Sequence, residues 1–166
     1  LKRLGPQLVN LQKTNRVGII FSADSANAIS YMPFSDRVNY MSVLSQMYDA
    51  LYDLNVEPDF LEAGGTADLS AYRVLLVPPL YSASDAVLNR LASYVQSGGH
   101  VVMAFKSGFT DEHSTVRGVM APGPLRAAAG FRYQEFTSLP APVPLKPDAF
   151  GAGRDNQGSV WEEFLI

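Results

Sequence analysis

The sequence predicts an α/β fold: a flavodoxin-like, open and mostly parallel sheet with helices on both faces. Three observations point there. The runs "RVGIIFS", "RVLLVPPL" and "HVVMAF" are apolar without alternation, as strands buried on both faces are. Between them lie longer stretches with apolar residues every three or four positions, the mark of helices with one buried stripe. Strand and helix alternate along the chain, so right-handed crossovers would lay helices on the two faces of one sheet.

The elements follow in order. "LKRLGPQLVNLQ" spaces Leu1, Leu4, Leu8 and Leu11 by three and four, with regular helix expected from Pro6, whose missing N–H is harmless in a first turn. Val17 to Phe21 is the first strand, and "SADSANA" after it reads as a loop. "DRVNYMSVLSQMYDALYDLN" predicts a crossover helix on the stripe Met41, Leu44, Met47, Leu51 and Leu54, with Asp36 available to cap it. "VEPDFLE" is a weaker strand and "RVLLVPPL" a third. "SASDAVLNRLASYVQSGG" predicts a helix with Ser82 and Asp85 in capping-box spacing and Gly98 to end it. "HVVMAF" is the fourth strand, followed by a loop from Ser107, a short helix from Pro124 to Ala129 and an edge strand. Prolines 140, 142, 144 and 147 predict an extended connector, and "GSVWEEFLI" reads as an element cut off before its partner strands.

Composition bounds the function. At 166 residues the chain is one ordinary domain, and 47% hydrophobic against 17% charged is a globular balance. A net charge of −3 without a basic tract gives no footprint for nucleic acid or an anionic membrane. Cysteine is absent, which removes disulfides, thiolate nucleophiles and cysteine zinc sites. The first residue is Leu1 and no leader is visible, so an excised piece of a longer chain is expected.

In an open parallel sheet ligands bind beyond the carboxyl ends of the strands, so the loops after Phe21, Leu80 and Phe105 are the places to search. The first has no glycine, and the later "GAGRDN" lacks the third glycine of a dinucleotide fingerprint. The second lacks the G-x-S-x-G of a nucleophile elbow, so Ser82 and Ser84 read as helix caps. His100 precedes an apolar strand and reads as structural. In the third loop Asp111, Glu112 and His113 are adjacent, and adjacent residues rarely converge on one ion. No cofactor and no metal is expected. That loop reads as a polar contact surface, with Ser107, Gly108, Phe109, Asp111, Glu112 and Arg117 as its residues: Gly108 for the turn, Phe109 as an exposed apolar anchor, and the charged groups to fix the shape or pair across an interface. A small-molecule-binding reading stays open and would need a pocket lined by Ser22, Tyr81 and Ser107.

From about Arg16 to Phe136 the chain resembles the middle, trimerisation domain of family 42 β-galactosidases. The most specific stretches are the turn Ser107 to Glu112, the "PGPL" from Pro122 to Leu125, and "YVQSGGHVV". The resemblance implies a fold like class I glutamine amidotransferases without their nucleophile, in a domain that joins three subunits. It also implies an upstream (β/α)8 barrel that hydrolyses terminal β-galactosides by a retaining mechanism, with two carboxylates about 5 Å apart. None of Glu57, Glu62, Glu112, Glu135, Glu162 and Glu163 resembles those catalytic positions. On this basis residues 1–14 are expected to be a linker helix from the barrel, 15–139 the trimerisation domain, and 140–166 the connector and truncated end of that domain. The implied partners are two further copies of the chain and the barrel.

Overall fold

The computed structural model describes residues 3–9, 13–33, 35–146 and 157–166. Four strands, β1 (Val17–Phe21), β2 (Asp59–Glu62), β3 (Val74–Val77) and β4 (His100–Met103), form one parallel sheet in the order β2-β1-β3-β4. β3 stops where Pro78 and Pro79 withdraw the N–H groups a ladder needs, three residues short of the expected end. Gly18 lies mid-strand between Leu61 and Leu75, whose methyls would stand 2.8 and 2.9 Å from any added Cβ.

Both faces are covered. On one, Leu75 and Val77 pack with Leu88 and Leu91 of α4 (Asp85–Gln96), and on the other Ile19 and Leu76 pack with Ile29, Tyr40 and Leu44. Leu75, Val77 and Leu88 are wholly buried, so each contributes roughly 1.5–3 kcal/mol relative to exposure. The stretch "SADSANA", expected to be a loop, is helical: α2 spans Ala23–Tyr31. Ser22 caps it by accepting the Ser25 N–H, and Ile29 anchors it in the core.

The crossover helix α3 (Tyr40–Asp53) begins later than expected because Asn39 and Ser42, not Asp36, form its capping box. Its buried side runs through Tyr40 and Leu44, whereas Met41 and Leu54, placed on the expected stripe, are 54% and 71% exposed. Ser84 caps α4 through Val87 N–H, and Ser82 lies just outside the helix.

At the amino end, one turn, α1 (Gly5–Leu8), stands where a helix over residues 1–14 was expected; Leu1 and Leu11 lie outside the described residues. A 3-10 turn, Gly123–Leu125, precedes α5 (Arg126–Ala129). The final element differs from expectation. β5 (Tyr133–Ser138) is not an edge of the main sheet; it pairs antiparallel with β8 (Trp161–Leu165), so the terminal strand has its partner within the chain. β6 (Val143–Pro144) pairs with β7 (Gln157–Gly158) in a second two-stranded sheet, and Pro147 lies outside the described residues.

Candidate functional site

The carboxyl ends of β1, β3 and β4 converge on a set of buried hydroxyls that satisfy one another. Ser22 Oγ donates to Ser25 Oγ at 2.9 Å, Ser25 Oγ donates to the Ser82 carbonyl at 3.0 Å, and Ser82 Oγ donates to the Asp111 carbonyl at 2.8 Å. Ser107, 1% exposed, accepts the Leu80 N–H at 3.0 Å and donates to the Ala104 carbonyl at 2.8 Å. Tyr81 stacks on Phe109 with ring centroids 6.0 Å apart. Ser22, Tyr81 and Ser107 therefore hold the end of the sheet together, each engaged within the chain.

The loop from Ser107 is built from the inside out. Gly108 sits at φ +67°, and a Cβ there would stand 2.7 Å from the Pro122 carbonyl oxygen, so only glycine fits. Asp111 Oδ1 accepts the backbone N–H groups of His113 and Thr115, both at 2.9 Å. The Thr115 bond, then the His113 bond and the nearby charges, hold its carboxyl below the usual range. Arg117 has its side chain 9% exposed, pairs with Asp85, and donates to the Ala83 carbonyl, which ties the loop to the start of α4. Outside this frame the tip is exposed: Glu112, His113, Val116 at 60% and Val119 at 49%.

Phe109, expected to be exposed, is half-buried, because an aromatic box takes it up. Phe109 meets Phe136 edge-on at 5.8 Å, and Phe136 stacks on Trp161 at 5.1 Å. Into the box goes Lys106, 2% exposed, its amine 3.5 Å from the Phe109 centroid and 3.0 Å from that of Phe136. The Lys106 N–H donates to Glu163 Oε1 at 2.7 Å, and Trp161 Nε1 donates to the same oxygen at 3.4 Å. Burial pushes the Lys106 amine down to about 8, against the pull of the Glu163 carboxylate. Burial likewise raises the Glu163 carboxyl, and burial next to that carboxylate raises Tyr133, whose hydroxyl donates to the Ser107 carbonyl at 2.8 Å. Lys106 holds a left-handed φ of 58°, a conformation costing a non-glycine residue roughly 1–2 kcal/mol.

Sequence reasoning passed over Lys106, Tyr133, Trp161 and Glu163. A signal existed for two of them: Trp161 and Glu163 are two apart on a strand and so share a face. Nothing local announces that Lys106 turns inward.

Elsewhere, a cleft of about 880 Å³ opens at the amino ends of β3 and β4, lined among others by Arg73, Arg90, Tyr94 and His100. One of about 350 Å³ lies beside Phe105, Tyr133, Trp161 and Glu163. Neither includes Ser22, Tyr81 or Ser107. Among the described residues no three acidic or imidazole groups converge as metal ligands would, and no helix is long and apolar enough to cross a membrane.

Residues 15–165 match the β-galactosidase trimerisation domain. A β-galactosidase of Planococcus sp. (strain L4) is 33% identical over 139 residues, which cover 82% of this chain and 20% of that protein. One of Halorubrum lacusprofundi is 28% identical over 124 residues, 75% of this chain and 17% of its own length. The crystal structure of a β-galactosidase from Bacillus circulans sp. alkalophilus superposes with a TM-score of 0.86 at 25% identity, over 100% of this chain and 25% of that one. The chain thus spans about a fifth of the length of these sequence relatives.

Proposed function

The chain belongs to the β-galactosidase trimerisation domain family, and from that premise we propose that it is the non-catalytic assembly domain of a homotrimeric, retaining β-galactosidase whose hydrolytic site lies in a separate barrel of the same protein. One observation carries the reading: the carboxyl end of the sheet, where an α/β enzyme would keep its ligand, is filled by the protein's own groups, with Ser107 and Lys106 1% and 2% exposed. What that end presents outward is the tip of the loop.

The contact surface is the loop from Ser107 to Pro122, with its parts divided by burial. Ser107, Gly108 and Phe109 shape it from beneath, Asp111 and Arg117 brace it, and Glu112 with Val116 and Val119 meets the neighbouring copy. Two exposed valines on a braced loop are an apolar centre with a charged rim, the usual anatomy of a specific contact.

The test is sedimentation equilibrium of the full-length protein across a dilution series. The unaltered protein should be a trimer. Val116→Asp should raise its dissociation constant by roughly tenfold or more, because a charge would be left in an apolar centre. A monomeric unaltered protein would refute the assembly reading, and an unweakened variant would remove the loop tip from the contact.

A further inference from the structure

The two terminal strands, β5 and β8, pair along their length but are lightly set on the rest of the molecule. Of their residues only Tyr133 is buried. Their ties to the main body gather on one short stretch, residues 105–109. Glu163 Oε1 accepts the Lys106 N–H, the Tyr133 hydroxyl donates to the Ser107 carbonyl, Phe136 meets Phe109 edge-on, and Trp161 lies 5.9 Å from Phe105. The Lys106 amine fills the middle of that contact. A further tie stands at the first residue of β5, where the Tyr133 N–H donates to the Ala121 carbonyl at 2.9 Å.

The contact is under strain and incompletely packed. Lys106 at φ 58° and Val160 at φ 71° hold left-handed backbone, which β-branched residues above all avoid; one lies under the strands and the other directly precedes Trp161. Strain of this kind persists only while surrounding contacts impose it, so it favours release. A cavity of about 350 Å³ remains beside the strands, lined among others by Met103, Phe105, Tyr133, Trp161 and Glu163. A segment with few buried apolar contacts opens at a lower free energy than the core of its domain.

We propose that β5 and β8 form a proton-coupled strap: the pair lifts as a unit about Tyr133, and each lifting admits water to the Lys106 amine. The inference stands apart from the assembly reading, since it needs neither the loop tip nor a neighbouring copy. Its coupling follows from the amine's two environments. Closed, burial holds the amine to about 8 against the pull of Glu163; open, it returns to its ordinary 10.5. The open form therefore binds the proton more tightly. Opening is favoured most below about pH 8, and that advantage is lost as pH rises towards 10.5.

The groups around the amine set the controls. Phe109 of its own loop, Phe136 of β5 and Trp161 of β8 carry no titrating proton in this range. Tyr133 of β5 has its hydroxyl raised by burial and by Glu163, so it stays protonated throughout. Glu163 of β8 is the facing charge. Burial raises its carboxyl, so opening would make it give up a proton, the opposite sense to Lys106.

Amide hydrogen exchange of the full-length protein, corrected for intrinsic rates, reads the opening constant. At pH 7 the hydrogen-bonded amides of β5 and β8 should open roughly tenfold or more above those of β1 and β3. That opening should fall roughly tenfold between pH 7 and pH 9. Lys106→Met should abolish the fall. Glu163→Gln removes the charge that supports the ammonium, so the fall should be at least as large. Protection of β5 and β8 equal to that of β1 and β3 overturns the proposal, since the pair then opens only with the whole domain. An opening constant that does not change with pH overturns it too, as does a fall that survives Lys106→Met. If Lys106→Met does not fold, the first two readouts need no substitution and decide the matter.

Discussion

At the scale of single residues the physics concentrates in Lys106. The residue is 2% exposed, and desolvation of its amine outweighs the nearby carboxylate, so its proton is held to about pH 8 rather than the ordinary 10.5. A lysine with a lowered folded-state value destabilises the fold while it stays charged. That penalty is full below about 8 and fades as pH rises towards 10.5, where the unfolded chain would still bind the proton and the folded one does not. The total is about 3 kcal/mol. Comparing the protein with Lys106→Met cancels the titrating groups that do not interact with Lys106, and Lys106→Met with Glu163→Gln, compared with Glu163→Gln alone, removes the one coupled carboxylate. Urea unfolding should therefore find the variant's advantage about 2 kcal/mol smaller at pH 9.5 than at pH 7. A difference that does not change with pH would mean the amine is not desolvated.

At the scale of elements, the loop and the terminal strands form one unit, because Lys106, Phe109, Phe136, Trp161 and Glu163 interlock across them. Phe109→Ala should accordingly lower stability by about 3 kcal/mol, the usual cost of removing a packed aromatic ring, and should weaken trimers only through that loss. Thermal unfolding together with sedimentation separates the two effects. Weakened assembly at unchanged stability would return Phe109 to the contact surface. The main strands were legible because parallel strands buried on both faces carry unbroken apolar runs, as Val74–Val77 does. α2 was not, because its buried stripe is only Ser25 and Ile29, too thin to register as a period. The loop's glycine turn could be read from Gly108, since a turn after a buried strand calls for a residue at positive φ. Its aromatic box could not. Phe136 and Trp161 arrive from strands far along the chain, and no local pattern encodes such a meeting.

At the scale of the whole molecule, the chain on its own should not hydrolyse a chromogenic β-galactoside. Retaining hydrolysis needs two carboxylates about 5 Å apart across a groove, one to donate a proton and one to attack the sugar. The six glutamates are differently disposed. Glu57 pairs with Lys13 on the surface, and Glu62, Glu112, Glu135 and Glu162 are exposed. Glu163 has the raised carboxyl value a general acid needs, but its Oε1 is taken by the Lys106 N–H. Its neighbour Glu162 projects from the opposite face of the same strand, so these two glutamates do not face each other across a groove. The purified chain should show no turnover above buffer, and Glu163→Gln should leave that background unchanged. Turnover that survives purification and disappears in Glu163→Gln would place catalysis in this domain and displace the assembly reading.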